Sequence, residues 1–476
     1  MNTSKLTSDF IFAVFAQGSS ALTGTLLTLA LPKVLGIDDF GYWQLFIFYA
    51  SYVGFFHLGL NDGVYLIHGG STRNEIDKSE VNSQFLLGVL AQIAFSILII
   101  LAALITSTDQ NRSFVVSMTA ALITISNAGA YLGYLLQAMG ETKSYSLSVL
   151  IESGVLLSGI CFLIALGFSD YKAYVVLYFG SRATCLAFCS IINADILKTR
   201  LKPLPDAVRL CLSSIRVGFK LMVANIAGYL ILGVARFFID ANWGIEVFSS
   251  VSFALSIATF FMMFISQASM VLFPALRQTS KRDTVDFFIK TKDLLNVLLP
   301  AALLLYWPAV LILTVWLPDY AASFTYFAFI FPMCIYEGKM DVLGTTYLKV
   351  FRNESRLLVI NLCTLALSAA ITMLGVYLLQ SIEFILVGIV LVLGFRELYT
   401  EALISGRFEI NQSTMSKALL FLGIGFSASC ALIPFGWGAF VYLILYAGYL
   451  ITFKKERRIA WQLLKRGLGN CNTGNN

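Results

Sequence analysis

Long apolar stretches alternate with short polar segments along almost the whole chain. A helix needs about 20 apolar residues to cross the hydrocarbon core of a bilayer. By this criterion the pattern predicts an all-α polytopic membrane protein with fourteen membrane-spanning helices. The predicted spans are residues 9–31, 40–66, 83–106, 114–139, 145–168, 171–193, 217–241, 246–276, 293–316, 320–348, 357–379, 383–406, 415–433 and 437–453.

The basic residues between these spans predict the orientation of the chain. On one side of the predicted membrane lie 25 loop Lys and Arg residues, whereas the other side has only Lys33, Arg112 and Lys172. Because basic loops stay in the cytoplasm, both termini are expected there. The outer connections, such as 317–320 and 380–383, are too short to fold into a catalytic domain.

A polar, basic passage at residues 195–216 separates two apolar blocks. Pro203 and Pro205 lie within it, and each lacks an N–H donor, so we expect no helix to run through it. We interpret it as a cytoplasmic linker between two halves. The predicted segments are a six-helix bundle at 1–194, the linker at 195–216, a second bundle at 217–406, a helix pair at 407–453 and a basic cytoplasmic tail at 454–476.

An internal repeat supports this division. The segment Tyr134–Lys143 ends the fourth predicted span and the similar segment Tyr347–Arg356 ends the tenth, 213 residues later. Each half holds an even number of spans, so the two copies enter the membrane from the same side and are parallel repeats. Two parallel bundles followed by an appended helix pair are typical of a transporter whose site lies between its halves.

Composition agrees with a membrane protein and excludes several kinds of site. Hydrophobic residues make up 58% of the chain and charged residues 13%, and the mean hydropathy is +0.80. Soluble proteins carry about 25% charged residues. The net charge of +6 follows the loop asymmetry and does not indicate nucleic acid. Two histidines and no CxxC spacing predict no zinc or other metal site, and no cofactor or ATP-binding motif is present.

Ionisable residues inside the predicted spans are the main candidates for function, because each costs at least ~2.5–3.5 kcal/mol at the bilayer centre. The alternatives are mutual neutralisation between packed helices and a water-filled cavity. The cations are Arg182, Lys220, Arg236, Lys339 and Arg396, and the anions are Asp62, Glu152, Glu337, Asp341, Glu397 and Glu401.

Helical spacing groups some of these residues with other polar side chains. Asn225, Tyr229 and Arg236 are predicted to share one face of span seven, and Arg236 is also spaced to pair with Asp240. In span two, His57 and Asn61 are predicted to share a face, with Asp62 beside them.

Two pairs of acidic residues lie four residues apart. Glu337 and Asp341 in span ten, and Glu397 and Glu401 in span twelve, repel each other unless a proton or a cation intervenes. A shared proton would make Glu337 and Asp341 an ion-coupling site, whereas a salt bridge with Arg182 or Arg396 would make them structural. The sequence leaves both options open.

Several segments together resemble a known family. The segments Leu35–Leu45, His57–Gly63, Leu135–Gly140 and Val271–Arg277 are similar to those of bacterial oligosaccharide-lipid flippases. These are the O-antigen (Wzx-type) translocases of the multidrug/oligosaccharidyl-lipid/polysaccharide exporter (MOP) superfamily, which includes the MATE exporters. The resemblance covers essentially the whole chain and includes the fourteen-span layout.

This resemblance implies a function in lipopolysaccharide or other surface-polysaccharide biosynthesis at the bacterial inner membrane. It implies transfer of an undecaprenyl-diphosphate-linked oligosaccharide to the outer leaflet, without enzymatic catalysis, from a V-shaped cavity between the bundles. An H⁺ or Na⁺ gradient would drive the cycle, and polysaccharide polymerase and chain-length machinery would be partners. In relatives, spans one, two, seven and eight line the cavity. Relatives carry arginines for the diphosphate there, whereas span one of this chain contains no arginine.

The expected substrate-binding residues combine that resemblance with the intramembrane charges. They are His57, Asn61, Asp62, Arg182, Lys220, Asn225 and Arg236, and the expected ion-coupling residues are Glu337, Asp341 and Glu397. A MATE-like drug or metabolite exporter of the same fold is the leading alternative. A membrane glycan polymerase is disfavoured by the short outer loops, and a scaffold without transport leaves the buried charges unexplained.

Overall fold

A computed structural model describes residues 3–106, 109–277, 281–351, 353–410 and 413–473. These ranges consist almost entirely of helices joined by short turns, and they contain no β-strand. The chain forms two compact units, of which the first ends at Tyr229 and the second begins at Leu230. The prediction that a linker at 195–216 divides the chain stays a prediction.

The first unit is built from eight helices and the beginning of a ninth. They are α1 Thr3–Leu29, α2 Leu31–Ala50, α3 Leu60–Ile67, α4 Lys78–Thr106, α5 Gln110–Ala138, α6 Thr142–Ala165, α7 Tyr171–Ile192, α8 Ala194–Leu197 and α9 Leu204–Arg277. The second unit contains the rest of α9 and ten further helices. They are α10 Lys281–Ala302, α11 Tyr306–Trp316, α12 Ala321–Ile330, α13 Met333–Lys339, α14 Thr346–Val350, α15 Glu354–Met373, α16 Ile382–Arg407, α17 Thr414–Leu432, α18 Phe435–Thr452 and α19 Lys454–Thr473.

Nine of the described helices are long and apolar enough to cross a membrane, or ten if the bent pair Gly18–Leu29 and Leu31–His57 is one span. The fourteen predicted spans exceed this number for two reasons. The 63-residue segment Leu204–Ser266 includes two predicted spans in one helix, which bends at Gly244. Other predicted spans contain ionisable residues or breaks, so they do not form one continuous apolar helix.

The prolines interrupt the central passage for only a few residues. Helix α8 ends at Leu197 and α9 begins at Leu204, between Pro203 and Pro205. Proline is well tolerated in the first turn of a helix, because the N–H groups there have no intrahelical partner. The second half of the predicted linker, residues 204–216, is therefore helical.

The first part of the predicted linker, residues 195–203, forms ion pairs with loops of the first unit. Arg73 forms a bidentate pair with Glu141, at 2.7 and 2.8 Å, and also contacts Asp195 at 2.7 Å. Lys78 binds the second oxygen of Asp195 at 2.7 Å. The hydrogen bonds that Arg73 donates to Glu141 raise the pKa of its guanidinium above the usual value. These contacts bring the loops after α3, α5 and α7 together at one end of the unit.

The two repeated segments both include a helix end. The segment Tyr134–Lys143 includes the end of α5 at Ala138, and Tyr347–Arg356 includes the end of α14 at Val350. Glu141 N–H donates to Leu136 O after the first helix, and Asn353 N–H donates to Leu348 O after the second. Other helix ends of this chain have the same kind of bond, as between Phe168 N–H and Leu163 O. The internal repeat therefore stays a prediction.

Glycines bring α3 and α9 into backbone contact within the first unit. A Cβ on Gly63 would lie 1.9 Å from the Ser214 carbonyl oxygen, and one on Gly218 would lie 2.1 Å from the Gly59 oxygen. No larger residue fits at either position without moving a helix. Gly59 also has φ +92°, a conformation that glycine adopts without strain. Gly59, Gly63 and Gly218 therefore permit the close approach of α3 and α9.

Candidate functional site

A lysine in the second unit is completely buried between two glutamates. The Nζ of Lys339, at the end of α13, lies 2.8 Å from Glu397 Oε1 and 2.8 Å from Glu401 Oε2 on α16. The exposed fraction of each of these side chains is 4% or less. One turn separates the two glutamates, so their carboxylates repel each other unless a cation lies between them. Lys339 supplies that cation from a different helix.

This cluster extends to α10 and carries more acid than base. Lys292 and Asp293 are both buried and close enough to interact electrostatically with Glu401. Asp293 also interacts with Glu456 of α19, whereas Lys339, Glu397 and Glu401 by themselves carry a net charge of minus one in their ordinary ionisation states. The Oε2 of Glu397 and the Oε1 of Glu401 have no hydrogen-bond partner among the described residues. One additional proton would therefore neutralise this group of three, and each glutamate has a carboxylate oxygen available to receive it.

Glu337 and Asp341 do not interact as the α-helical spacing predicts. Glu337 accepts a hydrogen bond at 2.6 Å from Arg396, which is one of the two salt bridges that the sequence left open. Asp341 accepts at 2.9 Å from the hydroxyl of Ser266 on α9. The helix changes to a π-helical turn over Met340–Thr345, which alters the angular spacing of side chains after Lys339.

A second arginine that pairs with a glutamate lies in the first unit. The NH1 of Arg182 on α7 is 3.1 Å from Glu152 on α6, and its NH2 donates to the hydroxyl of Tyr178 at 3.0 Å. The side chain of Arg182 remains 38% exposed, whereas that of Arg396 is 5% exposed. Arg182 is therefore neutralised but accessible, and Arg396 is neutralised and enclosed.

The predicted helical face of span two does not exist, because the helix is broken there. A 3₁₀ turn covers Val53–His57, and Leu58 and Gly59 adopt left-handed conformations before α3 begins. The prediction that His57 and Asn61 share a face is therefore wrong. Instead His57 Nε2 lies 3.7 Å from Asp62 Oδ2, while its Nδ1 accepts a hydrogen bond from the Gly59 N–H at 2.9 Å.

Asn127 of α5 holds the two sides of this break together. Its side-chain amide donates to the Val53 backbone carbonyl at 2.9 Å. The backbone carbonyl of Asn127 accepts a hydrogen bond from the side chain of Asn61 at 3.0 Å. Both bonds are buried. A helix break frees backbone polar groups that must find partners inside a membrane protein. Asn127 supplies one of those partners, and Asn61 secures the other side of the break.

The predicted polar row on span seven extends over both units. Lys220 and Asn225 are exposed on the first-unit part of α9, and Tyr229 is 64% exposed. Arg236 belongs to the second unit, where its guanidinium packs 5.1 Å from the ring centre of Phe248 and donates to Ser252 at 3.0 Å. Lys220 and Asn225 thus belong to the first unit and Arg236 to the second.

Sequence reasoning did not assign the partners that complete these groups. Lys339 and Glu401 were recognised as intramembrane charges but not as site residues, and Asn127, Ser252 and Ser266 were not singled out. The two glutamates one turn apart were the available signal, since they require a cation. Nothing in the spacing shows which lysine or arginine provides it.

Comparison with known proteins identifies the fold. No family model matches the chain, and no curated protein matches it. Among solved structures, the inward closed conformation of the lipid II flippase MurJ has a TM-score of 0.66 at 12% identity, covering 93% of this chain and 99% of that one. An inward-facing multidrug resistance MATE family transporter of the MOP superfamily has a TM-score of 0.60 at 14% identity, covering 84% and 95%. An outward-facing MATE family transporter of the MOP superfamily has a TM-score of 0.54 at 13% identity, covering 86% of this chain and 96% of that one. The predicted fold class is confirmed: this chain has the helical membrane-transporter fold of the MATE family and the flippase MurJ.

Proposed function

We propose that this protein is a flippase that moves an undecaprenyl-diphosphate-linked oligosaccharide, such as an O-antigen repeat unit, from the cytoplasmic to the outer leaflet. The observation that carries the proposal is the extent of the likeness to a lipid flippase. That likeness covers 93% of this chain, whereas the likeness to the inward-facing MATE transporter covers 84%. The wider coverage and higher TM-score of the match to a lipid flippase support a flippase function over that of a drug exporter.

The energetics of the substrate explain why polar groups are needed. A sugar-diphosphate head group loses its hydration if it enters hydrocarbon, and this costs several kcal/mol for each unpaired polar group. Side chains that donate hydrogen bonds replace that water while the lipid tail remains in the bilayer. Alternating access then moves the head group between leaflets.

The proposed substrate-binding residues differ in their freedom to contact a head group. Lys220 and Asn225 are exposed, and Arg182 keeps more than a third of its side chain accessible beside Glu152. These three are the strongest candidates for diphosphate and sugar contacts. His57, Asn61, Asp62 and Arg236 are more enclosed, and we propose that they contribute where the helices open during transport.

Proton coupling is proposed at the Lys339 cluster. Glu397 was predicted as a coupling residue, and its partner-free oxygen lies in a buried group that is one proton short of neutrality. Lys339 already occupies the position between the carboxylates that a sodium ion would take, which favours H⁺ over Na⁺. Glu337 and Asp341 are proposed only as secondary coupling residues, because Glu337 already forms the salt bridge with Arg396 that indicates a structural role, and Asp341 accepts a hydrogen bond from Ser266.

Reconstitution tests the transport function directly. Vesicles containing the purified chain and a fluorescent undecaprenyl-diphosphate oligosaccharide are treated with an impermeant quencher. We expect the protected inner-leaflet fraction to become quenchable only when the protein is present. In cells, deletion should cause lipid-linked repeat units to accumulate on the cytoplasmic face and surface polysaccharide to be lost. Retained surface polysaccharide together with lost drug resistance would instead establish the exporter alternative.

A pH gradient across the same vesicles tests the coupling. The variant Glu397→Gln should abolish the acceleration of transport by the gradient while transport without a gradient persists. Glu383→Gln provides the matched control, because Glu383 is an exposed glutamate at the start of the same helix α16. An equal response to the gradient in both variants would exclude coupling at Glu397.

A further inference from the structure

A membrane-facing groove lies between α15 and α16 in the second unit. It is open to the outside and encloses about 750 Å³, within the size range of ligand sites in proteins. Apolar or aromatic side chains form most of its walls: Val359, Cys363 and Leu367 on α15, and Val392, Phe395 and Tyr399 on α16. Val359, Leu367, Phe395 and Tyr399 are each more than half exposed, so their side chains are accessible to a bound molecule.

The groove lies away from the turn that joins the two helices. Near that turn the helices are in close contact: a Cβ on Gly388 would lie 2.4 Å from Ile371, and one on Gly375 would lie 2.3 Å from Ile385. The residues that line the groove are farther from the turn, between 355 and 367 on α15 and between 392 and 403 on α16.

A positive charge stands at the open end of the groove. Arg356 lines it at the first turn of α15, where Ser355 adds a hydroxyl, and both residues are exposed. The N-terminus of a long helix also favours an anion. Arg407, at the end of α16, lies at the same end, with its guanidinium 4.2 Å from the ring centre of Phe351. Among the residues whose side chains the structure describes, no acidic one lines the groove, and the charge of Arg396 in its wall is already neutralised by Glu337.

We propose that this groove binds an anionic membrane phospholipid, with its phosphate at Arg356 and one acyl chain along α15 and α16. The apolar length of the groove fits a hydrocarbon chain, and basic pockets at the ends of membrane helices bind anionic head groups. The site is separate from the buried Lys339 cluster, and the inference does not depend on the substrate that the protein transports.

Cys363 provides a direct measurement of occupancy, because it is exposed and lines the groove. The full chain carrying Cys161→Ser and Cys471→Ser is purified in detergent and treated with a thiol reagent in the presence of phosphatidylglycerol or phosphatidylcholine. We expect phosphatidylglycerol to protect Cys363 at lower concentration than phosphatidylcholine. Labelling of Cys161 in the unmodified chain should be unaffected by either lipid, since Cys161 does not line the groove.

Removal of one charge tests the head-group contact. Arg356→Gln should weaken protection by phosphatidylglycerol about fivefold, the effect of one cation near an anionic head group, and leave phosphatidylcholine unchanged. Lys417→Gln is the matched control, since Lys417 is an exposed cation near the start of α17 outside the groove. Equal protection by both lipids, or no effect of Arg356→Gln, would overturn the proposal. Tighter protection by an undecaprenyl-diphosphate lipid than by phosphatidylglycerol would also overturn it, by assigning the groove to that lipid.

Discussion

The ammonium group of Lys339 lies 2.8 Å from a carboxylate oxygen of Glu397, and the lysine side chain has no exposed surface. Glu401 completes the group at the same distance. An ion pair at this depth has lost its hydration, so its stability depends on the balance of charges and not on the attraction of one pair. The group is therefore sensitive to any change of a single charge.

Replacement of Lys339 by Met should strongly destabilise the protein. The variant leaves two carboxylates buried without a counter-ion, and breaking a buried pair in this way costs about 3–5 kcal/mol. Thermal unfolding of the purified chain in detergent measures the loss. Addition of Glu397→Gln and Glu401→Gln to Lys339→Met should restore most of the unfolding temperature. If the triple variant is no more stable than the single one, the loss comes from packing and not from charge.

Replacement of Gly63 by Ala should separate α3 from α9. The new methyl group would overlap the Ser214 carbonyl, and overpacking of this kind costs about 1–3 kcal/mol. Gly154→Ala is the control, because nothing lies within 4 Å of a Cβ at that position on α6. The control should keep or raise the thermal unfolding temperature, while Gly63→Ala lowers it. Equal unfolding temperatures would show that the two helices are not in close contact.

Replacement of Asn127 by Ala should weaken the broken segment of span two. The change leaves the buried Val53 carbonyl without its hydrogen bond, which costs about 1–3 kcal/mol. Hydrogen exchange of the Val53–His57 turn should also become faster than in the unmodified protein. Asn242→Ala serves as the control, since its side chain bonds only to Phe238 one turn earlier on an exposed surface. Unchanged exchange in Asn127→Ala would contradict the role of this residue at the break.

Lys202 and Asp77 form an ion pair outside the membrane-spanning segments. Its contribution to the stability of the folded protein should depend on pH. The hydrogen bond from Lys202, at 2.7 Å, lowers the pKa of Asp77 below its usual value. A lowered pKa in the folded state adds stability above the ordinary aspartate pKa, and this stability disappears as pH falls through the lowered value. Lys202→Met should therefore unfold at a lower temperature than the parent at neutral pH, but not in acid.

A control in the same passage separates this pair from a general charge effect. Lys198 is also exposed, and Lys198→Met removes the same charge without removing the partner of Asp77. Its unfolding temperature should follow that of the parent at every pH. A constant difference between Lys202→Met and the parent, from neutral pH to acid, would mean that the hydrogen bond does not change the pKa of Asp77.

The fold class was predictable because a helix that crosses a bilayer must meet a few strict physical conditions. A membrane helix must be long, apolar and internally hydrogen-bonded, so its presence can be read from local composition. The helical architecture follows from such local patterns. The positions of the helix breaks do not, because Leu58 gives no local signal of a left-handed conformation.

The sequence alone is enough to predict which residues form apolar helices and which ionisable groups those helices carry, since both depend on neighbours within a few turns. The pairing of those groups is visible only in the tertiary structure. Lys339 joins Glu397 and Glu401 from a helix about 60 positions away, and Asn127 reaches across to Val53 and Asn61. Such pairs depend on the packing angle and register of whole helices. The packing angle and register depend on the side-chain volumes of the entire bundle, so they cannot be predicted from local residue spacing.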